Sequence, residues 1–337
     1  MCLESSDFSP LPIDELKKYI PALLELIDRK SVSIDELKER LVPVFCGITM
    51  AAPFIQADRY LFRVVEWEEK PVHLRQLWCP PPEKLVTLGR ANRQSQPMFY
   101  CSSSPAAAFL EVGAQPGKHY AVSIWKTRTR FPVNTAGYIE EVYTQSRTCK
   151  DIPDWVTTKE SKWCNERNRL VVRFMREQFT KRVLPGQEHL YRMSIAIAEK
   201  QCEQDLFEGL MYPSIAAAAR ADNLAIKPSC AESRLEFIKA EYAVVEAIAE
   251  DKISLEVIDI ANALSDAGTI RWLGGAPKWT IREDGQQLIF SVENRQWVAR
   301  DISGKTVEPE MGPRAAILAF PEQHHDDSSS GSLSRDP

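Results

Sequence analysis

Five residues stand out by type and by order along the chain: Arg63 in LFRVV, Arg90 in LGRAN, Tyr100 ending PMFY, Glu111 in AFLEV and Ser214 after YP. A guanidinium matches the oxygens of an anion in forked, charge-assisted geometry. A tyrosine offers a ring face and a hydroxyl, and a carboxylate stabilises developing positive charge. Taken singly, each has a plainer explanation: arginines in strands are usually ion-paired, strand tyrosines half-buried and helix glutamates solvated. Glu111 fits the plain reading least, because it follows Ala106, Ala107, Ala108, Phe109 and Leu110. A carboxylate ending an apolar run faces a cleft or a positive partner, since burying it unpaired is costly.

Other chemistries find no support. Of the five histidines, His324 and His325 lie in a polar tail, and His73, His119 and His189 have no nucleophile motif beside them. There is no G-x-S-x-G, no P-loop and no G-x-G-x-x-G. Cys101, beside Ser102, Ser103 and Ser104, would need a lowered thiol pKa to act as a nucleophile with His119 as base. Nothing local predicts one, and a buried strand cysteine is the better account. His324, His325, Asp326 and Asp327 would hold a metal only loosely, so no metal is expected.

The elements that position the five residues follow from periodicity. Ile13, Leu16, Ile20, Leu23, Leu24 and Ile27 recur at helical spacing and predict a helix over residues 12–29. Ser33 followed by Glu36 opens a second helix through about Leu41, with Pro43 placed to stop it. From Tyr60 the texture changes to β-like runs (YLFRVVEW, MFYCS, HYAVSIW), and Pro105 suits the first turn of a helix in PAAAFLEV. Helices are expected around Lys162–Phe179 and Glu188–Cys202, and strands at GLMYPS, Leu235–Ile248 and Ser254–Ile260. Beyond about Asp266, KWTIRE and QQLIFSV flank Asp284-Gly285, a hairpin signal, and QWVARDISG supplies a third strand. Trp272, Trp279 and Trp297 read as packing residues of that region.

In order and spacing the chain resembles the RES domain family across about Tyr60–Val245. The likeness rests on three blocks: YLFRVV, then GRANRQSQPMFYCSSSPAAAFLEV, then GLMYPSIAAAARADNLAIKP. The middle block is the most specific, joining GR-x-N to a tyrosine and placing a glutamate eleven residues after it. Leu88 before the GR, Ala91 where an aromatic is frequent, and Ser95 or Gln96 where a glycine is frequent depart from the commonest pattern. The resemblance implies an α+β fold with an ADP-ribosyltransferase-like split, mixed β-sheet core and surrounding helices. It also implies an NAD glycohydrolase or NAD phosphorylase that cleaves the nicotinamide–ribose bond, with NAD as substrate and no cofactor. Arg63 and Arg90 would hold the phosphates, and Tyr100 would face the nicotinamide ribose. Glu111 and Ser214 would complete the site, with Asn92 and Asn223 in support. A toxin of a toxin–antitoxin system, restrained by a protein antitoxin, is the biological expectation. Inorganic phosphate is a possible second substrate, and a homo-oligomer is possible.

Around that core, the sequence divides into an N-terminal helical extension (1–55), a RES-type catalytic domain (56–262), a β-rich C-terminal extension (263–321) and a disordered tail (322–337). A net charge of -5 and a pI near 5.7 argue against general nucleic-acid binding. The eight scattered cysteines make neither a disulfide framework nor a zinc pattern. No apolar run is long enough for a membrane span, and the acidic start lacks a signal-peptide pattern, so a cytoplasmic protein is expected. Two other readings remain open: a mono-ADP-ribosyltransferase acting on a macromolecule, and a non-catalytic module that binds a nucleotide or partner.

Overall fold

The computed structural model describes residues 9–27, 32–49, 52–138, 165–184, 186–203, 206–214, 216–217, 221–249, 252–278, 289–293, 296–300, 306–307 and 310–319. Ten strands join in one sheet. They are β1 (Tyr60–Glu66), β2 (Phe99–Ser102), β3 (His119–Thr127), β4 (Asn134–Thr135), β5 (Gly209–Pro213), β6 (Asp222–Ile226), β7 (Leu235–Ile248), β8 (Lys252–Leu264), β9 (Ile270–Trp272) and β10 (Arg314–Ala319). Their order is β9-β8-β7-β3-β1-β2-β6-β5-β4, with β10 also on β8. Only β4 and β5 run parallel, so the sheet is mixed. The helices are α1 (Ile13–Glu25), α2 (Ile34–Phe45), α3 (Pro105–Glu111), α4 (Glu166–Thr180), α5 (Arg192–Gln201) and α6 (Pro228–Arg234). The chain has the expected α+β architecture.

The sheet is split at its centre. β1 pairs with β3 from Tyr60 through Glu66, yet it meets β2 at one register position, Phe62 opposite Ser102. Because side chains alternate along a strand, this register decides which residues share a face. Tyr100 and Ser102 of β2 lie on the same face as their partners Ala225 and Asn223 of β6, and Asn223 in turn lies opposite Tyr212 of β5. Arg63, next to Phe62, belongs to the reverse face with Cys101 and Phe99.

Different layers cover the two faces. On the Tyr100 face, α3 packs Ala106, Ala107, Ala108 and Phe109 against Val64, Tyr120 and Val122. Alongside it, α1, α2, α4 and α5 share one apolar cluster with Leu210, Tyr212 and Ala225. On the reverse face, Leu61, Phe99, Trp125 and Leu224 pack with Cys230 and Ala231 of α6. The N-terminal helices therefore sit in a core common to α4 and α5, where Leu16, Leu37, Leu41 and Val44 are all buried. The buried Arg192 of α5 adds to this, donating to the carbonyls of Val32 and Ile27.

Pro43 does not stop the second helix. With the expected Ser33 cap in place (Glu36 N–H to Ser33 Oγ, 3.0 Å), α2 continues to Phe45 and contains Pro43. The donor that proline lacks would have served Glu39, whose position is exposed, and continuing the helix buries Val44. α1 is shorter than expected, ending at Glu25. In the C-terminal region Ile289–Glu293 pairs with Gln296–Arg300, while Ala276–Lys278 pairs with Glu310–Gly312. The Asp284-Gly285 turn, Trp279 and the tail fall outside the described residues. β10 lies against β8 from Lys252 to Val257, which joins this late segment to the main sheet. No helix among the described residues is long and apolar enough to cross a membrane.

Because α2 shares its core with α4 and α5, Leu41→Ala should destabilise the whole domain by about 2–5 kcal/mol. Urea unfolding followed by circular dichroism and by tryptophan fluorescence should give coincident transitions shifted together. A separate early transition confined to helical signal would show that the hairpin is an independent unit.

Candidate functional site

Glu111 is positioned by a short helix built for close approach. Ser104 caps α3 by accepting the Ala107 N–H, Pro105 occupies the first turn, and the three alanines leave no bulk between helix and sheet. Gly113, at φ 64°, turns the chain away just after the helix ends. Glu111 is the last helical residue, and its position is exposed. Ser214, directly after β5, is fully buried. Its hydroxyl donates to Glu111 Oε1 at 2.6 Å and accepts the Ala217 N–H at 3.2 Å. One carboxylate oxygen is thus fixed by a charge-assisted bond from another element.

Tyr100 is committed to the loop that carries Arg90. Its hydroxyl accepts the Ala91 N–H at 2.8 Å and donates to Asn92 Oδ1 at 2.9 Å. Burial raises the phenol's pKa, so this bridge keeps its proton. The glycine of the GR motif has a steric cause: a Cβ on Gly89 would lie 2.1 Å from Asn92 Oδ1 and 3.2 Å from the Tyr100 hydroxyl. Arg90 itself stacks over the Tyr191 ring at 5.4 Å and makes one long bond, 3.3 Å, to the Lys181 carbonyl. Arg93 anchors the far side of the loop. Its guanidinium meets Glu199 of α5 at 2.5 and 2.8 Å and Asp35 of α2 at 2.9 and 2.5 Å.

Asn223 is 4% exposed, and its Nδ2 has no hydrogen-bond partner among the described residues. Such a donor costs about 1–3 kcal/mol unless a ligand or water meets it. Opposite it in register stands Tyr212, a 5% exposed residue whose ring lies 5.4 Å from that of Phe179. Burial pushes the Tyr212 phenol well up, and Tyr100, Glu111 and Arg90 all lie within Coulomb range of it. The sequence reading quoted Tyr212 as part of YPS without giving it a role. The period of two puts it on the face of Ser214, two residues on, and only the strand pairing sets it opposite Asn223.

Arg63 stands apart from this group. Its Nε, Nη1 and Nη2 donate to the carbonyls of Leu77, Tyr100 and Trp78 at 3.2, 2.9 and 3.2 Å. Its guanidinium lies 5.5 Å from the Phe99 ring on the reverse face, where burial lowers its pKa. The structure thus gathers Arg90, Asn92, Tyr100, Glu111, Ser214 and Asn223 on one face and sets Arg63 behind the strand that bears Tyr100.

His119 and His73 are engaged elsewhere. His119 stacks on Tyr242, and His73 uses both ring nitrogens, one accepting from Arg75 N–H and the other meeting the Ala267 carbonyl. No group of three or more metal-ligating side chains occurs among the described residues.

Burial pushes the Cys101 thiol up to about 12, the reverse of what a nucleophile needs. The folded state therefore keeps this proton longer than the unfolded chain does. The stability that results is intact below the ordinary thiol value of 9.0 and is lost as pH climbs from there towards about 12. Iodoacetamide at pH 8 should accordingly spare Cys101 in the native protein and alkylate it in urea, as read by peptide mass spectrometry. Rapid native labelling would contradict the buried thiol.

No curated protein matches the chain. A protein-family model does match: that of the RES domain, over residues 80–243. The matched span holds Arg90, Asn92, Tyr100, Glu111, Ser214 and Asn223, while Arg63 precedes it. The chain thus resembles the RES domain over these 164 residues, a little under half of its length.

Proposed function

We propose that the protein degrades NAD by cleaving the nicotinamide–ribose bond, as a glycohydrolase or a phosphorylase. The bond from Ser214 to Glu111 is the observation that carries this reading, because it holds a carboxylate at an open position with one oxygen fixed. In NAD the leaving group is already cationic. Departure therefore needs no strong acid: the C1′–N pair leaves with nicotinamide, and positive charge develops on the ribose as an oxocarbenium ion. Glu111 stabilises that charge from a geometry set in advance. Water or inorganic phosphate then bonds to C1′. Water gives ADP-ribose and releases a proton, whereas phosphate gives ADP-ribose-1″-phosphate.

The other side chains bind and orient. Arg90, with one long bond to protein, has donors left for the pyrophosphate. Asn223 Nδ2 supplies a buried donor for a polar group of the substrate. Tyr100 fixes the Arg90 loop and presents a ring face, and Arg63 acts through the main chain by holding the Tyr100 carbonyl. The RES domain's association with NAD-related toxins supports a toxin held by a protein antitoxin. The exposed position of Glu111 favours one second reading, a mono-ADP-ribosyltransferase whose acceptor is a macromolecule.

Purified protein should consume NAD, with or without phosphate, and Glu111→Gln should lower kcat about 100-fold or more. Chromatography of the products separates hydrolysis from phosphorolysis. Label from NAD appearing on a macromolecule would favour the transferase, and no NAD loss from folded protein would overturn the catalytic reading.

A further inference from the structure

A cavity of about 530 Å³ opens on the reverse face of the sheet, against β3, β7 and the end of β8. Its apolar wall is made by Trp78, Trp125, Phe237 and Leu264. The rings are locked edge to face: Trp78 and Trp125 centroids are 5.0 Å apart, and Trp125 and Phe237 5.6 Å. Trp78 and Phe237 remain half-buried, so ring surface is left for something to cover.

Arg75 and Arg128 also line this cavity, at exposed positions, and the guanidinium of neither has a partner among the described residues. Two acids share the lining, Glu232 and Glu236, and Lys126 lies within Coulomb range of Glu236. In formal charge the lining carries two arginines against two acids, and neither arginine is ion-paired with either acid among the described residues.

The wall is preformed. His73 caps the turn at Leu74–Gln76, Leu74 N–H meets the Gly268 carbonyl at 2.9 Å, and Arg63 holds the carbonyls of Leu77 and Trp78. A ligand would therefore not have to order this segment on binding.

From these features we infer that the reverse-face cavity binds a planar aromatic anion of mononucleotide size. The base lies against the Trp78 and Phe237 rings, and the phosphate takes the Arg75 and Arg128 guanidiniums. Stacking surface beside unpaired guanidiniums is the chemistry that recognises a base joined to a phosphate. The volume falls in the usual range for small-molecule sites, roughly 300–1,000 Å³. This site is separate from the Glu111–Ser214 pair, because the two lie on opposite faces of the sheet, and it stands whether or not the protein consumes NAD.

Calorimetry on the full chain with adenosine 5′-monophosphate, adenosine and inorganic phosphate tests the inference, with tryptophan fluorescence as a second signal. The nucleotide should bind the wild type and quench fluorescence. Adenosine and phosphate should each bind at least about tenfold more weakly. The double variant Arg75→Ala/Arg128→Ala, altered only at exposed positions, should lose about tenfold or more in nucleotide affinity. Arg90→Ala, on the opposite face, should keep it. Absence of nucleotide binding to the wild type at millimolar concentration overturns the inference. So does binding that Arg90→Ala abolishes and the double variant retains, which would place the nucleotide in the cleft.

Discussion

Where β1 and β2 part after a single register pair, the guanidinium of Arg63 fills the gap and takes the main-chain carbonyls of Leu77, Trp78 and Tyr100. A split in a sheet strands backbone acceptors that a continuous ladder would have paired. The Tyr100 carbonyl is one such acceptor, and the same arginine, with its donors in a rigid fork, also takes the carbonyls of Leu77 and Trp78 from the turn beside the sheet. Desolvation opposes this, as the lowered pKa records, and the carbonyl bonds offset it. Tyr100 is thereby held from both sides of the sheet: its carbonyl is bound to Arg63 behind, and its hydroxyl is bound to the Arg90 loop in front.

The split also determines what can stand over the Tyr100 face. α3, rich in alanine, lies close on β1 and brings Glu111 to the edge of the gap. The four-helix layer lies over β5 and β6 on the other side. Between them the side chains are polar: Tyr100, Asn223, Tyr212, Ser214 and Glu111. The N-terminal hairpin belongs to this construction, because Asp35 of α2 shares Arg93 with Glu199 of α5, and Arg93 adjoins the residue that receives the Tyr100 hydroxyl. A hairpin that looks like an appendage in sequence is thus ionically tied to the site loop.

Much of this was legible from residue patterns. β1, β2, β3, β5, β7 and β8 lie where alternation and β-branched composition put them, and α3 begins at the proline that suits a first helical turn. Glu111 was conspicuous because a charge ends an apolar run, and its partner Ser214 came from the resemblance to the RES domain family. The facing of Arg63 was not legible. Strand alternation gives two faces but not which residues share one across strands, and that depends on a single pairing, Phe62 with Ser102. Tyr212 was hidden for the same reason, since its significance lies in standing opposite Asn223. Pro43 misled because the rule that proline ends helices weighs the lost donor and not the core contact of Val44, which decides here. Arg93 carried no signal in the sequence, because its two carboxylates come from elements 58 and 106 residues away.

The contrast between Glu111 and Asn223 bears on how such a site discriminates. Ser214, itself buried, orients the carboxylate in the empty site, so in the proposed reaction charge stabilisation would require little reorganisation at the moment of bond cleavage. Asn223 is the opposite case: a buried donor left without a partner among the described residues, which weakens the empty site. A ligand that brings an acceptor to Nδ2 recovers that cost, while one of the same shape without the acceptor leaves it in place. In the proposed reaction, discrimination would come from an unmet hydrogen bond on β6, and rate from a met one between α3 and the end of β5. The two are joined through the sheet, because Ser214 follows the strand whose Tyr212 pairs with Asn223.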